Sequence, residues 1–473
     1  MDLRLSLLQA ERGKLMKLNR IMIAAPKSGS GKTTITCALL QALKDAGKHV
    51  VSYKCGPDYI DPMFHQKVID ISAKNLDTFF TGEEETQRLF LKNRTEKDFV
   101  VIEGVMGLYD GLGGIKEEGS SYHLAKVTGT PIILVVDAKG MGRSVISLLA
   151  GFLAYDKEQL IQGVILNRMS KSYYETMKPL MEAELGICVV GYFPENKKFH
   201  IESRHLGLRM PNELDDIKAQ LQTASLELQK TISIEQMVQI AEDAGKLDCS
   251  VSCLSDPSLF QVEETPVIAV AKDEAFCFYY EDNLLMLQDY GAKILYFSPL
   301  HDKEIPKNCH GILLGGGYPE LYMEKLSQNE SMKASIRKAI GNHMPVVAEC
   351  GGFMYLHKEI TDAKNMTYEM VGAIDGSCIY IGKLVRFGYV ELREKSVNFL
   401  PKGEWIRGHE FHYFDSSYNG EDVIARKPVT GREYDCIIDK EYCWCGFPHL
   451  YYPSNPEFVK NYVKKACDYI RRK

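Results

Sequence analysis

Short apolar runs alternate with stretches of helical period along the first part of the chain. The apolar runs lie at 21–25, 50–54, 99–103, 131–137 and 163–167. Amphipathic stretches follow the first and the fourth run, at 32–46 and 144–155. Apolar runs that are buried on both faces and joined by helices indicate an α/β fold with a doubly wound parallel sheet.

The pattern changes beyond this region and then returns to a second α/β pattern. Two amphipathic helices are predicted at 214–229 and 234–244, and the polar stretch 250–264 is a candidate linker. From Pro266 onward, further strands are predicted at 267–271, 293–297, 311–314 and 345–348. Further helices are predicted at 282–290 and 330–342, and β-rich segments at 377–391 and 404–414.

We therefore expect four segments. They are an N-terminal helical extension (1–20), a P-loop domain (21–205), a helical segment with a linker (206–265) and a second α/β domain (266–473). A length of 473 residues suits two or three domains. The start of the chain lacks a small-residue cleavage site, so we interpret it as an extension and not as a signal peptide.

Composition excludes several classes of function. The net charge of −6 does not favour a nucleic-acid partner or an anionic membrane surface. No apolar stretch reaches the roughly 18 residues of a membrane span. The 13 cysteines are scattered and no export signal precedes them, which predicts reduced thiols in a cytoplasmic protein. Neither Cys443/Cys445 nor Cys249/Cys253 has the spacing of a zinc site.

A glycine-rich turn follows the first apolar run. Lys-Ser-Gly-Ser-Gly-Lys-Thr-Thr occupies 27–34 between a predicted strand and a predicted helix, with Pro26 where the usual pattern has its first glycine. Backbone N–H groups and the helix dipole attract phosphate there, while Lys32 neutralises phosphate charge and Thr33 offers a hydroxyl to Mg²⁺. Lys27 is either a solvated lysine or one that reaches the phosphates of a partner subunit, as in deviant Walker A ATPases. The predicted nucleotide ligands are Ser28, Gly29, Ser30, Gly31, Lys32, Thr33 and Thr34.

Acidic side chains follow the next two strands. Segments 56–62 and 103–111 carry Asp58, Asp61, Glu103 and Asp110. Because the carboxyl ends of parallel strands face one crevice, these acids are expected to converge beside the phosphates. Mg²⁺ prefers such hard oxygen ligands. The predicted metal ligands are Thr33, Asp58, Glu103 and Asp110.

Three further polar residues are weaker candidates. His65 and His123 are expected at the surface, with contact between His65 and a substrate carboxylate as the alternative. Asn167, at the end of its strand, is placed where a nucleobase edge would lie, with a turn residue as the alternative.

A second reactive centre is predicted around Cys350. Glu-Cys-Gly-Gly at 349–352 follows an apolar strand and precedes a helix, which is typical of a nucleophile elbow. The helix dipole is expected to lower the pKa of the thiol. Gly316, Gly317 and Gly351 are candidate oxyanion-hole donors. The base is His409, His412 or His449, and spacing does not choose between them. A phosphate site and such a cysteine in one chain favour an ATP-driven amide-forming enzyme that makes its own ammonia from glutamine.

These motifs together resemble the cobyrinic acid a,c-diamide synthase family, amidotransferases of corrin biosynthesis. The resemblance covers almost the whole chain. The segments that carry it are 28–34, 56–62, 103–111, 135–141, 163–167, 275–280, 314–320, 349–352 and 408–413.

The resemblance implies a dethiobiotin-synthetase-like domain followed by a class I glutamine amidotransferase domain of flavodoxin-like fold. It implies ATP and Mg²⁺ as cofactors, and glutamine and a corrinoid or related tetrapyrrole as substrates. ATP would activate the c- and then the a-carboxylate as acyl phosphates, with Asp58, Tyr59 and Asp61 near the substrate. A homodimer is left open.

The resemblance also assigns the base to His449. Most class I glutaminases carry a glutamate two residues after this histidine, where this chain has Tyr451. A Cys–His dyad, or a triad completed elsewhere, is therefore implied.

Three alternatives remain open from sequence. Nickel-sirohydrochlorin and hydrogenobyrinate are rival macrocycles within the family. A nucleotide-switched dimerising ATPase without amidotransferase activity is the alternative of a different class.

Overall fold

The computed structural model describes residues 15–196, 199, 211–248, 260 and 262–472. The chain forms two compact units, Met1–Cys253 and Leu254–Lys473. Most of the predicted linker at 250–264 and the start of the predicted extension lie outside the described residues. No described helix is long and apolar enough to span a membrane.

The predicted helix at 1–20 is wrong where it can be checked. Leu15–Met16 and the residues from Asn19 onward are strands. The buried guanidinium of Arg20 donates hydrogen bonds to the carbonyl oxygens of Leu18, Thr128 and Gly129. These bonds satisfy the buried charge and tie this segment to the sheet.

Unit 1 is built on the predicted parallel sheet, which has seven strands, two more than the five predicted from sequence. Its strands are β2 (Asn19–Ala24), β3 (His49–Cys55), β4 (Ser72–Leu76), β5 (Asp98–Glu103), β6 (Ile132–Asp137), β7 (Ile161–Asn167) and β8 (Cys188–Phe193). The spatial order is β4-β3-β5-β2-β6-β7-β8. The first of these strands lies in the middle and the chain winds outward in both directions, so the carboxyl ends of β2, β3 and β5 meet at one edge.

Helices surround this sheet. They are α1 (Lys32–Asp45), α2 (Ile60–Phe64), α3 (Thr78–Leu91), α4 (Ser121–Val127), α5 (Ser144–Tyr155), α6 (Lys171–Leu185), α7 (Pro211–Thr231) and α8 (Ile234–Glu242). One sheet face packs apolar side chains against α1, α7 and α8, including Ile35, Leu221 and Met237. Separately, β1 (Leu15–Met16) pairs with β9 (Leu247–Asp248) in an antiparallel ribbon.

Unit 2 has a sheet of six strands. They are β10 (Val267–Ala271), β12 (Lys293–Phe297), β13 (Gly311–Leu314), β15 (Val346–Glu349), β24 (Ile438–Lys440) and β25 (Cys443–Gly446). Their spatial order is β12-β10-β13-β15-β25-β24, and all but β24 are parallel. The accompanying helices are α9 (Glu281–Asp289), α10 (Met323–Gln328), α11 (Glu330–Gly341), α12 (Gly351–Leu356) and α13 (Pro456–Arg472).

Smaller sheets complete unit 2. A two-stranded ribbon joins β11 (Phe276–Phe278) to β14 (Gly316–Gly317). A four-stranded sheet contains β16 (His357–Thr361), β17 (Thr367–Glu369), β18 (Ile374–Tyr380) and β21 (Phe414–Ser416). A five-stranded antiparallel sheet contains β19 (Arg386–Glu394), β20 (Trp405–His412), β22 (Val423–Arg426), β23 (Glu433–Cys436) and β26 (His449–Leu450). Because β20 and β26 pair, His409 and His449 lie directly opposite each other.

Candidate active sites

The phosphate loop has the geometry that its sequence predicts. It joins β2 to α1, and Gly31 adopts φ 92° at the start of that helix. A Cβ on Gly31 would lie 2.2 Å from Nδ2 of Asn167, so both backbone angle and space require glycine there. Lys32 Nζ donates to the carbonyl oxygen of Met106 at 2.5 Å. Burial, and then the positive charge of Lys54, lowers the pKa of Lys32 to about 8.

A buried cluster of opposite charges lies beside this loop. Thr33 Oγ1 donates to Glu103 Oε1 at 2.7 Å, and Lys54 Nζ contacts the same oxygen at 3.0 Å. Lys54 Nζ also lies 2.7 Å from Asp61 Oδ2. Burial opposes the charge on Lys54, but Asp61 and Glu103 outweigh it and hold the pKa of Lys54 well above its usual value. Lys54 was not identified as a site residue from the sequence. The available signal was its place at the end of an apolar run, just before the acidic segment 56–62.

Two of the predicted acids use an oxygen to brace their own loops. Asp58 Oδ1 accepts the backbone N–H groups of Ile60 and Asp61, and Asp110 Oδ2 accepts that of Gly107. Tyr59 is buried in the same turn as Asp58. Segments 56–62 and 103–111 therefore lie at the ends of β3 and β5 beside the phosphate loop. Of the four predicted metal ligands, Glu103 is the acid that contacts Thr33.

The oxygen atoms here fit a magnesium ion. Glu103 Oε2 is buried and has no hydrogen-bond partner, and Oε1 already faces the Thr33 hydroxyl. Such hard oxygen donors suit Mg²⁺, which takes its remaining ligands from phosphate and water. No group of three or more His, Cys, Asp or Glu side chains within the described residues is arranged to hold a metal by itself.

His65 is not a surface residue, which corrects the prediction. Its ring is fully buried, with Nδ1 2.6 Å from Ser52 Oγ and Nε2 3.6 Å from Glu103 Oε2. Burial lowers the pKa of His65 to about 4, so the ring is neutral. The histidine packs behind Glu103 because the short helix α2 turns it back toward β3.

Asn167 contacts the phosphate loop directly. Its Nδ2 donates to the carbonyl oxygen of Ser30 at 2.8 Å, and its Oδ1 accepts the backbone N–H of Arg168. These bonds hold the loop from behind. The prediction that Asn167 lies at a nucleobase edge stays a prediction.

Cys350 occupies a strained turn between β15 and α12. Its φ of 47° and ψ of −104° are unusual for a residue with a side chain. Its backbone N–H donates to the carbonyl oxygen of Gly446, and the N–H of Gly352 donates to that of Gly315. A Cβ on Gly352 would lie 2.2 Å from the carbonyl oxygen of Leu314, so the turn needs a glycine there. This is the geometry of a nucleophile elbow.

The expected lowering of the Cys350 pKa is wrong. Burial, and then the charge of Glu320, raises the pKa of this thiol well above its usual value, and a hydrogen bond from the N–H of Gly351 offsets little of that shift. Helix α12 has only six residues, so its dipole is small against the cost of burying a thiolate. The thiol is therefore protonated at rest and needs a base.

The three candidate bases differ in their surroundings. His412 stacks on Phe447 and bonds through Nδ1 to the carbonyl oxygen of Phe414, so it is held in place structurally. His409 lies 3.1 Å from the Tyr280 hydroxyl and stacks on His449 with centroids 4.9 Å apart. His449 follows β25, the strand beside β15. The assignment of His449 as the base stays a prediction.

The three glycines that are candidate oxyanion-hole donors lie close to His449 and to one another. A Cβ on Gly316 would lie 2.3 Å from Cε1 of His449, so the His449 ring rests directly on this backbone. The Gly317 nitrogen lies 3.4 Å from where a Cβ on Gly351 would be. The three glycines therefore meet beside Cys350, and their role as oxyanion donors stays a prediction.

A buried carboxylate that sequence reasoning overlooked lies next to these residues. Glu349 Oε2 is 4.0 Å from Nδ1 of His449, and Glu349 Oε1 is 3.5 Å from the Tyr452 hydroxyl. Tyr451, in the position of the usual class I glutamate, instead points its hydroxyl at Asp282 Oδ2, 3.2 Å away. The signal was present in the sequence, since Glu349 directly precedes the nucleophile.

Comparison with known protein families defines the class of each half. Residues 21–208 match the CobQ/CobB/MinD/ParA nucleotide binding domain, and residues 267–456 match the CobB/CobQ-like glutamine amidotransferase domain. A nucleotide-binding half and an amidotransferase half in one chain define a ligase of the glutamine amidotransferase class. The predicted fold class and enzyme class are thus confirmed.

Full-length relatives narrow the family. The chain is 37% identical over 461 residues to the cobyrinate a,c-diamide synthase of Caldanaerobacter subterraneus subsp. tengcongensis, covering 95% of this chain and 99% of the relative. Synthases of the same name from Picrophilus torridus (37%, 95% and 99%) and Priestia megaterium (36%, 95% and 98%) are similar over the same extent. This chain belongs to the cobyrinate a,c-diamide synthase family.

Proposed function

We propose that this protein converts the a- and c-carboxylates of cobyrinate to amides, using ATP, Mg²⁺ and glutamine. The observation that carries the proposal is the presence, in one chain, of the Lys32–Thr33–Glu103 centre and of Cys350 on its strained turn beside His449. Full-length relatives bear the name of this activity. The proposal also includes domains at 21–205 and 266–473, joined by a helical segment and linker at 206–265, of which helices α7 and α8 pack on the sheet of unit 1.

In unit 1, Lys32 and the phosphate loop hold the nucleotide. Lys54 compensates the charges of Asp61 and Glu103, and Asp58, Tyr59 and Asp61 face the substrate carboxylate. Thr33 and Glu103 would hold Mg²⁺, with Asp58 and Asp110 near it; this ion, when bound, neutralises phosphate charge during transfer. The carboxylate oxygen takes the γ-phosphoryl group of ATP, and ADP leaves.

In unit 2, His449 accepts the Cys350 proton and the sulfur attacks the side-chain amide carbon of glutamine. Gly316, Gly317 and Gly351 are the proposed donors to the resulting oxyanion. The proton passes from His449 to the departing nitrogen, ammonia leaves, and water hydrolyses the thioester to glutamate. Ammonia then displaces phosphate from the acyl phosphate, and the cycle repeats on the second carboxylate.

The test is a mass-spectrometric assay of the full chain with ATP, Mg²⁺ and glutamine. Cobyrinate, hydrogenobyrinate and nickel-sirohydrochlorin are supplied in separate reactions. The expected result is two amides on cobyrinate. Two amides on another macrocycle would retain the chemistry but replace the substrate. ATP hydrolysis with no amidation of any of the three would overturn the proposal in favour of a nucleotide-switched dimerising ATPase.

A thiol variant tests the second centre in the same assay. Cys350→Ser should abolish glutamine-driven amidation and retain amidation driven by an ammonium salt. Cys467→Ser is the matched control, because Cys467 is also a buried thiol of unit 2 but lies on α13. Equal loss of the glutamine-driven and ammonium-driven reactions in Cys350→Ser would contradict the assigned role.

A further inference from the structure

The catalytic pair of unit 2 lacks the usual third member of a class I glutaminase. Tyr451 occupies that sequence position, and its hydroxyl is bonded to Asp282. Its ring packs edge-on against Tyr280 with centroids 5.1 Å apart. Tyr451 is therefore committed to the core and has no carboxylate to offer His449.

A carboxylate reaches His449 from a different strand. Glu349 ends β15, and its Oε2 is 4.0 Å from His449 Nδ1, with both side chains almost fully buried. The other oxygen of Glu349 faces the Tyr452 hydroxyl, and the backbone N–H of Leu450 also bonds to this carboxyl group. Glu349 is thus held beside His449, the proposed base, by its contacts with Leu450 and Tyr452 from the same segment of the chain.

We propose that Glu349 is the positioning residue that completes the Cys350–His449 pair, replacing the glutamate that other class I enzymes carry two residues after the histidine. A hydrogen bond from Nδ1–H of His449 to Glu349 leaves Nε2 as the acceptor for the Cys350 proton. A separation of 4.0 Å closes to a hydrogen bond with a small side-chain rotation, and catalytic hydrogen bonds are often long before substrate binds. This inference rests on the proposed glutaminase chemistry of unit 2.

Glutamate release is the decisive measurement, because it reports on unit 2 whichever macrocycle is the acceptor. Glu349→Gln keeps the shape and the contacts to Tyr452 and Leu450 but removes the charge. It should lower the kcat for glutamate release about 10- to 1,000-fold with little change in the KM for glutamine. Ammonium-driven amidation should stay within about twofold of the unmodified protein, as for any change confined to the glutaminase step.

Glu394→Gln is the matched control, since Glu394 is a buried carboxylate of unit 2 that contacts Ser396 and lies on β19. It should leave glutamate release unchanged. Glu349→Asp keeps the charge on a shorter side chain and should recover part of the activity. Modification of Cys350 by a diazoketone analogue of glutamine, followed by intact mass, measures the thiol directly and should slow in Glu349→Gln.

Two outcomes would overturn the inference. Glutamate release within about threefold of the unmodified protein in Glu349→Gln would show that His449 needs no carboxylate. Equal losses of glutamate release and ammonium-driven amidation would show that Glu349 serves the fold alone. Failure to amidate any macrocycle would instead overturn the proposed function. The role of Glu349 could still be tested, because glutamate release and Cys350 modification are measured without a macrocycle.

Discussion

The two sites each bury a pair of titratable side chains, but only the pair in unit 1 is held in its charged form. In unit 1, the buried Lys54 lies in contact with Asp61 and Glu103, and these partners keep the pKa of Lys54 above its usual value while Lys54 lowers that of Asp61. In unit 2, burial raises the pKa of Cys350 and lowers that of His449 to about 3. The Lys54–Asp61 pair of unit 1 therefore stays charged, although burial raises the pKa of Glu103 beside it to about 7, whereas Cys350 and His449 of unit 2 are neutral.

This difference matches two kinds of chemistry. Fixed and mutually compensated charges cost little reorganisation when an anionic phosphate arrives, which suits phosphoryl transfer. Neutral buried groups gain charge only when a proton moves between them, which suits a thiol activated by a base. Burial alone therefore does not decide the charge state of a site; its partners do.

The largest effect should come from breaking unit 1 alone. Lys32→Met removes the cation that faces the phosphates, so amidation should fall at least about 100-fold with glutamine or ammonium as nitrogen donor. Product formation is followed by mass spectrometry. The rate of Cys350 modification by the diazoketone should not change. Lys48→Met, at an exposed lysine of the same unit, is the control. Retention of a third of the activity in Lys32→Met would contradict the assigned role.

A smaller effect should come from moving His449, the proposed base of unit 2. Gly316→Ala places a methyl group 2.3 Å from the His449 ring, so the ring must shift. Displacing a catalytic group by about 1 Å costs up to roughly 100-fold, and we expect a 10- to 100-fold loss (approximate range) of glutamate release. Gly341→Ala has no heavy atom within 4 Å of the added methyl and should be neutral. An unchanged rate in Gly316→Ala would mean that His449 is not the base.

The rate of glutamate release should depend on pH through the ionisation of Glu349. Burial raises the pKa of Glu349 to about 8, so its carboxylate form, which the positioning role requires, grows as pH rises from 7 to 9. The titratable groups around it are His449, Cys350, Tyr279 and Tyr452.

Glutamate release by the unmodified protein should therefore rise roughly 10-fold over this interval, following the ionised fraction of Glu349. Glu349→Gln should show a flatter profile because it lacks the titrating group. Rates are measured in overlapping buffers at constant ionic strength. Parallel profiles for the two proteins would assign the rise to another group, with the Cys350 thiol as the first candidate.

The smallest effect should come from loosening the phosphate loop. Asn167→Ala removes one buried hydrogen bond to Ser30, worth about 1 kcal/mol, which corresponds to about fivefold weaker nucleotide binding. Titration calorimetry with ATP and GTP distinguishes two roles. Equal weakening of both nucleotides identifies a brace for the loop. A change in the preference between ATP and GTP would identify contact between Asn167 and the nucleobase.

Strands buried on both faces were predictable from sequence to within about two residues, as β2, β6 and β7 show. Their continuous apolar runs leave little ambiguity. Strand β4 was overlooked because it carries Lys74 and Asn75, and it lies at one edge of the sheet. A polar edge strand lacks the apolar signal on which the prediction depended.

The candidate sites divide along similar lines. The phosphate loop and Cys350 were predictable because their glycines mark them in sequence. Lys54 was not, since a lysine within a strand is usually solvated and only its contacts with Asp61 and Glu103 explain its burial. Glu349 was not, because alternation along a strand places neighbouring side chains on opposite faces, and the positive φ of Cys350 removes that rule.

The ribbon of β1 and β9 has a consequence for how this chain can be assembled by evolution. It pairs Leu15 with Asp248, so the first and last described residues of unit 1 lie side by side. Modules whose two ends are adjacent tolerate transplantation and circular permutation, since their joints need not cross the core. The adjacent ends of the nucleotide-binding half therefore suit it to gene fusion with, or separation from, a neighbouring domain.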